Sequence, residues 1–139
     1  MSWDILILDV AKEVKSVADI PKDFQPKPLG VRADVIRRIR EIIPKADFSN
    51  PSWGILFADD YSIEFRTGSA AVCDCISLSV RGGGNVIPVI ARLLAHLGVR
   101  AIDCKTSEFF DPGASAANSF EEWQAYRNRV VVSFEHPKP

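Results

Sequence analysis

The stretch from Ala71 to Gly98 constrains this chain more than any other. It reads Ala-Val-Cys-Asp-Cys-Ile-Ser-Leu-Ser-Val-Arg, then Gly82-Gly83-Gly84, then an almost wholly apolar run from Asn85 to Leu97 closed by Gly98. The first part alternates with the two-residue period of a half-buried strand. Val72, Ile76, Leu78 and Val80 share a face with Asp74, and Cys73, Cys75, Ser77, Ser79 and Arg81 take the other. The run after the glycines predicts a helix. Pro88 is tolerated there because it falls in the first turn, where its missing N–H breaks no bond. Gly98 suits the left-handed position that follows a helix end. Only Arg92 and His96 interrupt the apolar character, so this helix is expected to lie buried across the apolar side of a sheet.

The remaining segments extend that unit. Trp3 to Val10, rich in Ile and Leu, predicts a first strand buried on both faces. Residues 11–30 carry Pro21, Pro26 and Pro28 among charges, which suits an extended surface segment without a long helix. Val31 to Ile43 is an amphipathic helix with Val31, Val35, Ile39 and Ile42 on one stripe, ended by Pro44. Its arginines (Arg32, Arg37, Arg38, Arg40) suit a solvated face; contact with an acidic partner is the sharper alternative. Trp53 to Ala58 predicts a strand with Trp53, Ile55 and Phe57 on one face. Asp59-Asp60 makes a tight turn. Tyr61 to Thr67 alternates well, with Tyr61, Ile63 and Phe65 opposite Ser62, Glu64 and Arg66. The strands at 53–58, 61–67 and 71–81 thus form an antiparallel meander with an apolar and a small-polar side. Val99 to Cys104 predicts a further strand and Lys105 to Ala117 a loop. Ser119 and Glu122 match a capping box for a helix at 120–129 with Phe120, Trp123 and Tyr126 as anchors. Residues 130–134 suit a helix or a short strand, and 136–139 a frayed tail.

The chain, 139 residues long, is expected to form one domain, 1–139, with a core that needs neither disulfide nor metal. Its 17 basic and 18 acidic residues give a net charge of −1, which supplies no general drive toward nucleic acid or an anionic membrane. The N-terminus lacks the basic and long apolar regions of a secretory leader, and no run approaches the roughly 18 apolar residues of a spanning helix. Three cysteines, Cys73, Cys75 and Cys104, suggest reduced thiols. A cytoplasmic protein is the expectation, with no metal and no cofactor.

Candidate sites are few. Arg81 with Gly82, Gly83 and Gly84 outlines an anion cradle at a helix start. It lacks both the G-x-G-x-x-G pattern and a Walker lysine, so a turn permitting sharp strand-to-helix reversal is the simpler account. Asp74, on an apolar face, demands a partner such as Arg92 or His96, or acts as a general base of shifted pKa. Asp103, Glu108 and Asp111, with Phe109 or Phe110 as an exposed anchor, form an acidic group that suits a recognition surface, metal ligands, an acid/base pair or simply a solvated loop. Ser62, Glu64, Arg66, Ser77, Ser79 and Arg81 line the polar sheet face as a candidate interface. No nucleophile motif occurs, and no catalytic residue is assigned.

The segments Pro51-Ser-Trp-Gly54, Tyr61-Ser-Ile-Glu-Phe65, Val80 through Gly84 to Arg92, and Ala101-Ile-Asp-Cys104 resemble a group of small uncharacterised bacterial proteins. Their overall character is similar to the immunity proteins of bacterial polymorphic-toxin and contact-dependent inhibition systems. The resemblance covers roughly residues 51–110 and implies a cytoplasmic protein that binds a cognate toxin. The expected fold is α+β: a mainly antiparallel sheet of four or five strands, two main helices on one face, in the order β-α-β-β-β-α-β-α. The leading functional expectation is a non-enzymatic, immunity-type toxin inhibitor. The alternatives are a small hydrolase or transferase using Asp74 and Asp103 with the Gly82–Gly84 turn, and a homo-oligomeric structural module, for instance a homodimer, pairing through an edge strand.

Overall fold

Six strands join in one sheet in the computed structural model, which describes residues 2–111. Along the chain come β1 (Trp3–Leu8), a 3-10 turn (Val17–Asp19), β2 (Gly30–Val31) and α1 (Arg32–Ile42). Then follow β3 (Trp53–Phe57), β4 (Tyr61–Arg66), β5 (Val72–Cys73), β6 (Cys75–Gly82), α2 (Val86–Leu97), β7 (Arg100–Asp103) and β8 (Glu108–Phe109). The sheet order is β3-β4-β6-β1-β7-β8, and each neighbouring pair is antiparallel. β2 and β5 form a separate two-stranded ladder. This is the expected α+β class with a mainly antiparallel sheet. It has six strands because Glu108–Phe109 pairs with Ile102–Asp103, in a stretch whose composition predicts a loop. The helix predicted at 120–129, the element at 130–134 and the tail at 136–139 lie outside the described residues.

One face of the sheet is buried. Trp3, Ile5 and Ile7 of β1, Ile63 and Phe65 of β4, and Ile76, Leu78 and Val80 of β6 form a single core with the two helices. α1 contributes Val35 and Ile39; α2 contributes Val86, Ile90, Leu93, Leu94 and Leu97. Each such aliphatic or aromatic side chain stabilises the fold by about 1.5–3 kcal/mol relative to exposure. Pro88 lies in the first turn of α2, and Gly98 ends that helix in the left-handed conformation. α1 begins one residue later than its apolar stripe predicts. Val31 is exposed because it pairs with Val72 in the small ladder.

Two expectations about strand faces are corrected. β1 is buried on one face and partly on the other, where Asp4 is exposed and Leu6 half-buried. The stretch 71–81 is two strands, because Asp74 sits in a bend between β5 and β6. Cys73 and Ile76 are both buried although three residues apart, which strict alternation forbids. The extra residue resets the phase, as a bulge does. The cause is on the other side of the chain. The N–H of Leu29 donates to the Cys73 carbonyl (2.7 Å) and that of Arg32 to the Ala71 carbonyl (2.8 Å), drawing 71–73 out of the main sheet. Asp74 is therefore exposed, off the apolar face, and Cys73 and Cys75 do not share a face.

The sheet's β3 edge is closed by its own approach loop. Ile55 exchanges both backbone hydrogen bonds with Asp47 (2.9 and 2.8 Å), and the Trp53 N–H donates to the Asn50 carbonyl (3.1 Å). Phe48, from the same loop, covers Gly54 and stacks at 5.7 Å against Phe65. A side chain at Gly54 would meet the Phe48 ring at 2.4 Å.

Two measurements probe these supports. The Trp3 indole N–H donates to the buried Asp103 carboxyl at 3.2 Å. Trp3→Phe leaves that carboxyl one donor short and removes ring volume. Urea denaturation is expected to show a loss of about 2–4 kcal/mol; an unchanged midpoint would show the bond to be dispensable. The Ser49 hydroxyl and backbone N–H hold the Asp47 carboxyl below its usual range. A depressed folded pKa stabilises fully above the unfolded value, near about 4, and the effect is lost as pH falls through the folded value. The stability advantage of wild type over Asp47→Ala is expected to be level above about pH 5 and to shrink in more acidic urea melts. An advantage that grows on acidification would reverse this assignment.

Candidate functional site

The sheet face opposite the helices is where the sequence places most candidate contacts, and strand register arranges them in rows. One row runs Trp53, Arg66, Ser77, Leu6, Ile102, Phe109. The next is Ile55, Glu64, Ser79, Asp4, and the third Phe57, Ser62, Arg81. Among the described residues no helix lies on this face. Ser62, Glu64, Arg66, Ser77, Ser79 and Arg81 are thus brought together on β4 and β6.

Electrostatics organise the centre of the patch. Arg81 Nη1 donates to Glu64 Oε2 at 2.9 Å, and Arg66 Nη2 lies 3.9 Å from the same oxygen. Glu64 is 19% exposed, against 44% and 58% for the two arginine side chains. One recessed carboxylate therefore holds two cations that face solvent. Exposed pairs of this kind contribute at most about 1 kcal/mol, so their main effect is to fix guanidinium positions. Ser62 and Ser77 are half-buried. Ser79 is almost fully buried between the Glu64 and Asp4 positions, so it is a packing residue rather than a contact residue.

Aromatic residues of β3, absent from the candidate contacts that the sequence suggests, border this patch. Trp53, Ile55 and Phe57 do share a face, and it is this one: Trp53 is 45% exposed and Phe57 79%. Their strand is the edge strand, with Gly54 and Leu56 turned to the core. The alternation was legible. The side it faces depends on Phe48 occupying the core position over Gly54, which no local pattern announces.

The acidic group separates. Asp103 is buried in the helix-side layer, where it accepts from Trp3 and from the Lys105 backbone N–H (2.9 Å). Glu108 and Asp111 are exposed, while Phe110 between them is buried against Trp3 with ring centroids 6.2 Å apart. Phe109 lies on the open face, but the Arg100 guanidinium covers its ring at 3.5 Å. Arg100 also donates to the carbonyls of Ala11 (2.8 Å) and Val14 (2.7 Å), anchoring the start of the 11–30 segment. Only Glu108 and Asp111 of the predicted acidic surface remain as surface charges.

The glycine turn is packed, not open. The Gly83 N–H donates to the Asp60 carbonyl at 2.7 Å. A Cβ at Gly82 would fall 2.5 Å from that carbonyl oxygen, and one at Gly84 2.5 Å from the Asp60 Cβ. Asp60 brings a carboxylate to the cradle and Arg81 is engaged with Glu64, so the anion-binding reading of Arg81, Gly82, Gly83 and Gly84 is corrected to a turn-against-turn contact.

The residues of the enzyme alternative do not converge. Asp74 lies exposed before β6, Arg81 is near the far end of that strand on the open face, and Asp103 is buried in the opposite layer. The seven residues from Asp74 to Arg81 span roughly 20 Å at strand rise. The helix-borne partners proposed for Asp74 are elsewhere: His96 Nε2 meets Glu41 at 3.3 Å, and Arg92 lines a cleft beside the β3–β4 turn. His96 is exposed rather than buried. Burial pushes the Cys73 and Cys104 thiols up, against thiolate chemistry. Among the described residues no three His, Cys, Asp or Glu gather as a metal site, and no helix is long and apolar enough to cross a membrane.

Comparison with protein-family models, curated proteins and solved structures finds no match for this chain.

The turn contact can be measured against a control. Gly82 (φ 98°) and Gly98 (φ 68°) both have positive φ, but only Gly82 is crowded. Gly98→Ala is expected to lose about 1–2 kcal/mol from backbone conformation alone. Gly82→Ala adds a backbone clash and is expected to lose at least about 3 kcal/mol by thermal or urea unfolding. Equal losses would mean that the Asp60 contact yields without strain.

Proposed function

We propose that this protein is a non-enzymatic binding module, an immunity-type inhibitor that docks a cognate bacterial toxin in the cytoplasm through its open sheet face. The observation that carries the reading is the grouping of exposed Trp53 and Phe57 with the Arg66–Glu64–Arg81 cluster on the sheet face opposite α1 and α2. Trp and Arg dominate binding hot spots, since each buries large area while retaining directional hydrogen bonds or a fixed charge. Here both stand on paired strands, so little ordering entropy is lost on docking. The mixed charge favours selection of one complementary partner over general adhesion. Asp111 adds an exposed charge beyond β8, whereas Glu108, the register partner of Asp103, lies on the helix side of the sheet. The dispersal of Asp74, Asp103 and Arg81 supports a binding role over the hydrolase or transferase alternative. Closure of the β3 edge by Asp47 weighs against oligomerisation through that strand.

The test is native capture from the source cells, followed by reconstitution. A stoichiometric partner whose toxic activity this protein suppresses is the expected result. Trp53→Ala and Arg81→Glu should each weaken the complex about tenfold or more by calorimetry, and Glu64→Lys and Asp111→Lys should weaken it through altered charge complementarity. Full affinity in all four variants would remove this face from the reading. A partner whose activity is unaffected by binding would remove the inhibitor role.

A further inference from the structure

A cleft on the helix side of the sheet has no place in the docking reading. It arises where α1 ends: Pro44 turns the chain away after Ile42, and the ends of β3 and β4 are left only partly roofed. The cavity is about 410 Å³, with an apolar floor of Ile42, Leu56 and Val89. That volume falls at the lower end of the roughly 300–1,000 Å³ of small-molecule sites. A larger hollow, about 700 Å³, lies beside Arg100, but that guanidinium is already committed to Ala11, Val14 and Phe109.

Two of the four polar side chains at the smaller cleft are cationic donors, and a third, the Tyr61 hydroxyl, can donate or accept. Arg92 from the middle of α2, Lys45 after α1 and Tyr61 of β4 line it, with Asp59 as the one carboxylate. Among the described residues neither Arg92 nor Lys45 has an ion-pair partner, and the Tyr61 hydroxyl takes no hydrogen bond. Lys45 follows the carbonyl end of α1, whose partial negative charge it complements. Arg92, remote from either helix end, keeps its charge available. Arg and Lys supply N–H donors and no acceptor, so the chemistry that completes the cleft is an anionic acceptor joined to apolar surface.

We infer that this cleft binds a small carboxylate with an apolar body, its headgroup held by Arg92 and Lys45 and its body lying on Ile42, Leu56 and Val89. A cationic amphiphile meets two like charges there, and a neutral one gains only the apolar contact. Arg92 and Lys45 lie on the helix side, apart from the charged cluster of the open sheet face, and Phe57 borders both surfaces; the titration needs no docking partner.

The experiment is a titration of the full-length ¹⁵N-labelled protein with octanoate, 1-octanol and octylammonium, each below its micelle concentration. Octanoate is expected to give saturable shifts at the amides of Leu56, Tyr61, Val89 and Arg92. Octanol should bind about fivefold more weakly or worse, as loss of a partly exposed ion pair implies, and octylammonium should not saturate. Arg92→Ala should weaken octanoate by a similar factor, and Asp59→Asn, which removes the like charge, should tighten it. Both substitutions are at exposed positions, and unchanged spectra elsewhere verify the fold. Octylammonium or octanol binding as tightly as octanoate, shifts that map away from the cleft, no saturation by octanoate, or indifference to both substitutions would each overturn the inference.

Discussion

The placement of β1 between β6 and β7 is the constraint on which the rest of the structure depends. The β3–β4–β6 meander and the β7–β8 hairpin have no strand contact with each other; the first strand of the chain is what makes them one sheet. The indole–carboxyl bond from Trp3 to Asp103 locks that join across 100 positions of sequence. Such pairings close long loops before they return energy, so this topology favours slow folding for its size. It also explains why a carboxyl is found in the core layer. Asp103 satisfies the Trp3 indole and the Lys105 amide at the turn between β7 and β8, and its hydrogen bonds offset its desolvation.

Much of the element structure was legible locally. Both described helices and the strands at 53–57, 61–66 and 100–103 follow from period and punctuation alone: Pro44 after α1, Pro88 and Gly98 at the two ends of α2, Asp59-Asp60 between β3 and β4. What escaped was set by distant partners. Leu29 and Arg32 pull 71–73 out of the main sheet, and the phase of Asp74, Cys73 and Cys75 changes with them. Phe48 over Gly54 turns Trp53 and Phe57 to the open face, so the aromatic half of the candidate site was hidden while its polar half, on β4 and β6, was legible. Asp103 shows the converse. An acidic residue at a strand end suggests a surface until the indole 100 positions away is known.

The two faces of the sheet divide the molecule's chemistry. The helix side buries most of the apolar core and has a cleft where α1 stops short of the β3–β4 turn. The other side carries arginines whose positions one recessed glutamate fixes, flanked by aromatics on a strand whose one core side chain is Leu56. Substitutions on β3 at its outward positions are therefore nearly decoupled from the core and can change without refolding.

The backbone pairing of Asp47 with Ile55 has a consequence beyond local stability. Short aromatic-rich strands such as Trp53–Phe57, left bare, are templates on which other chains can crystallise into fibrils. With its middle hydrogen-bonding groups already spent on its own loop, this one exposes aromatic side chains while withholding the backbone that aggregation needs.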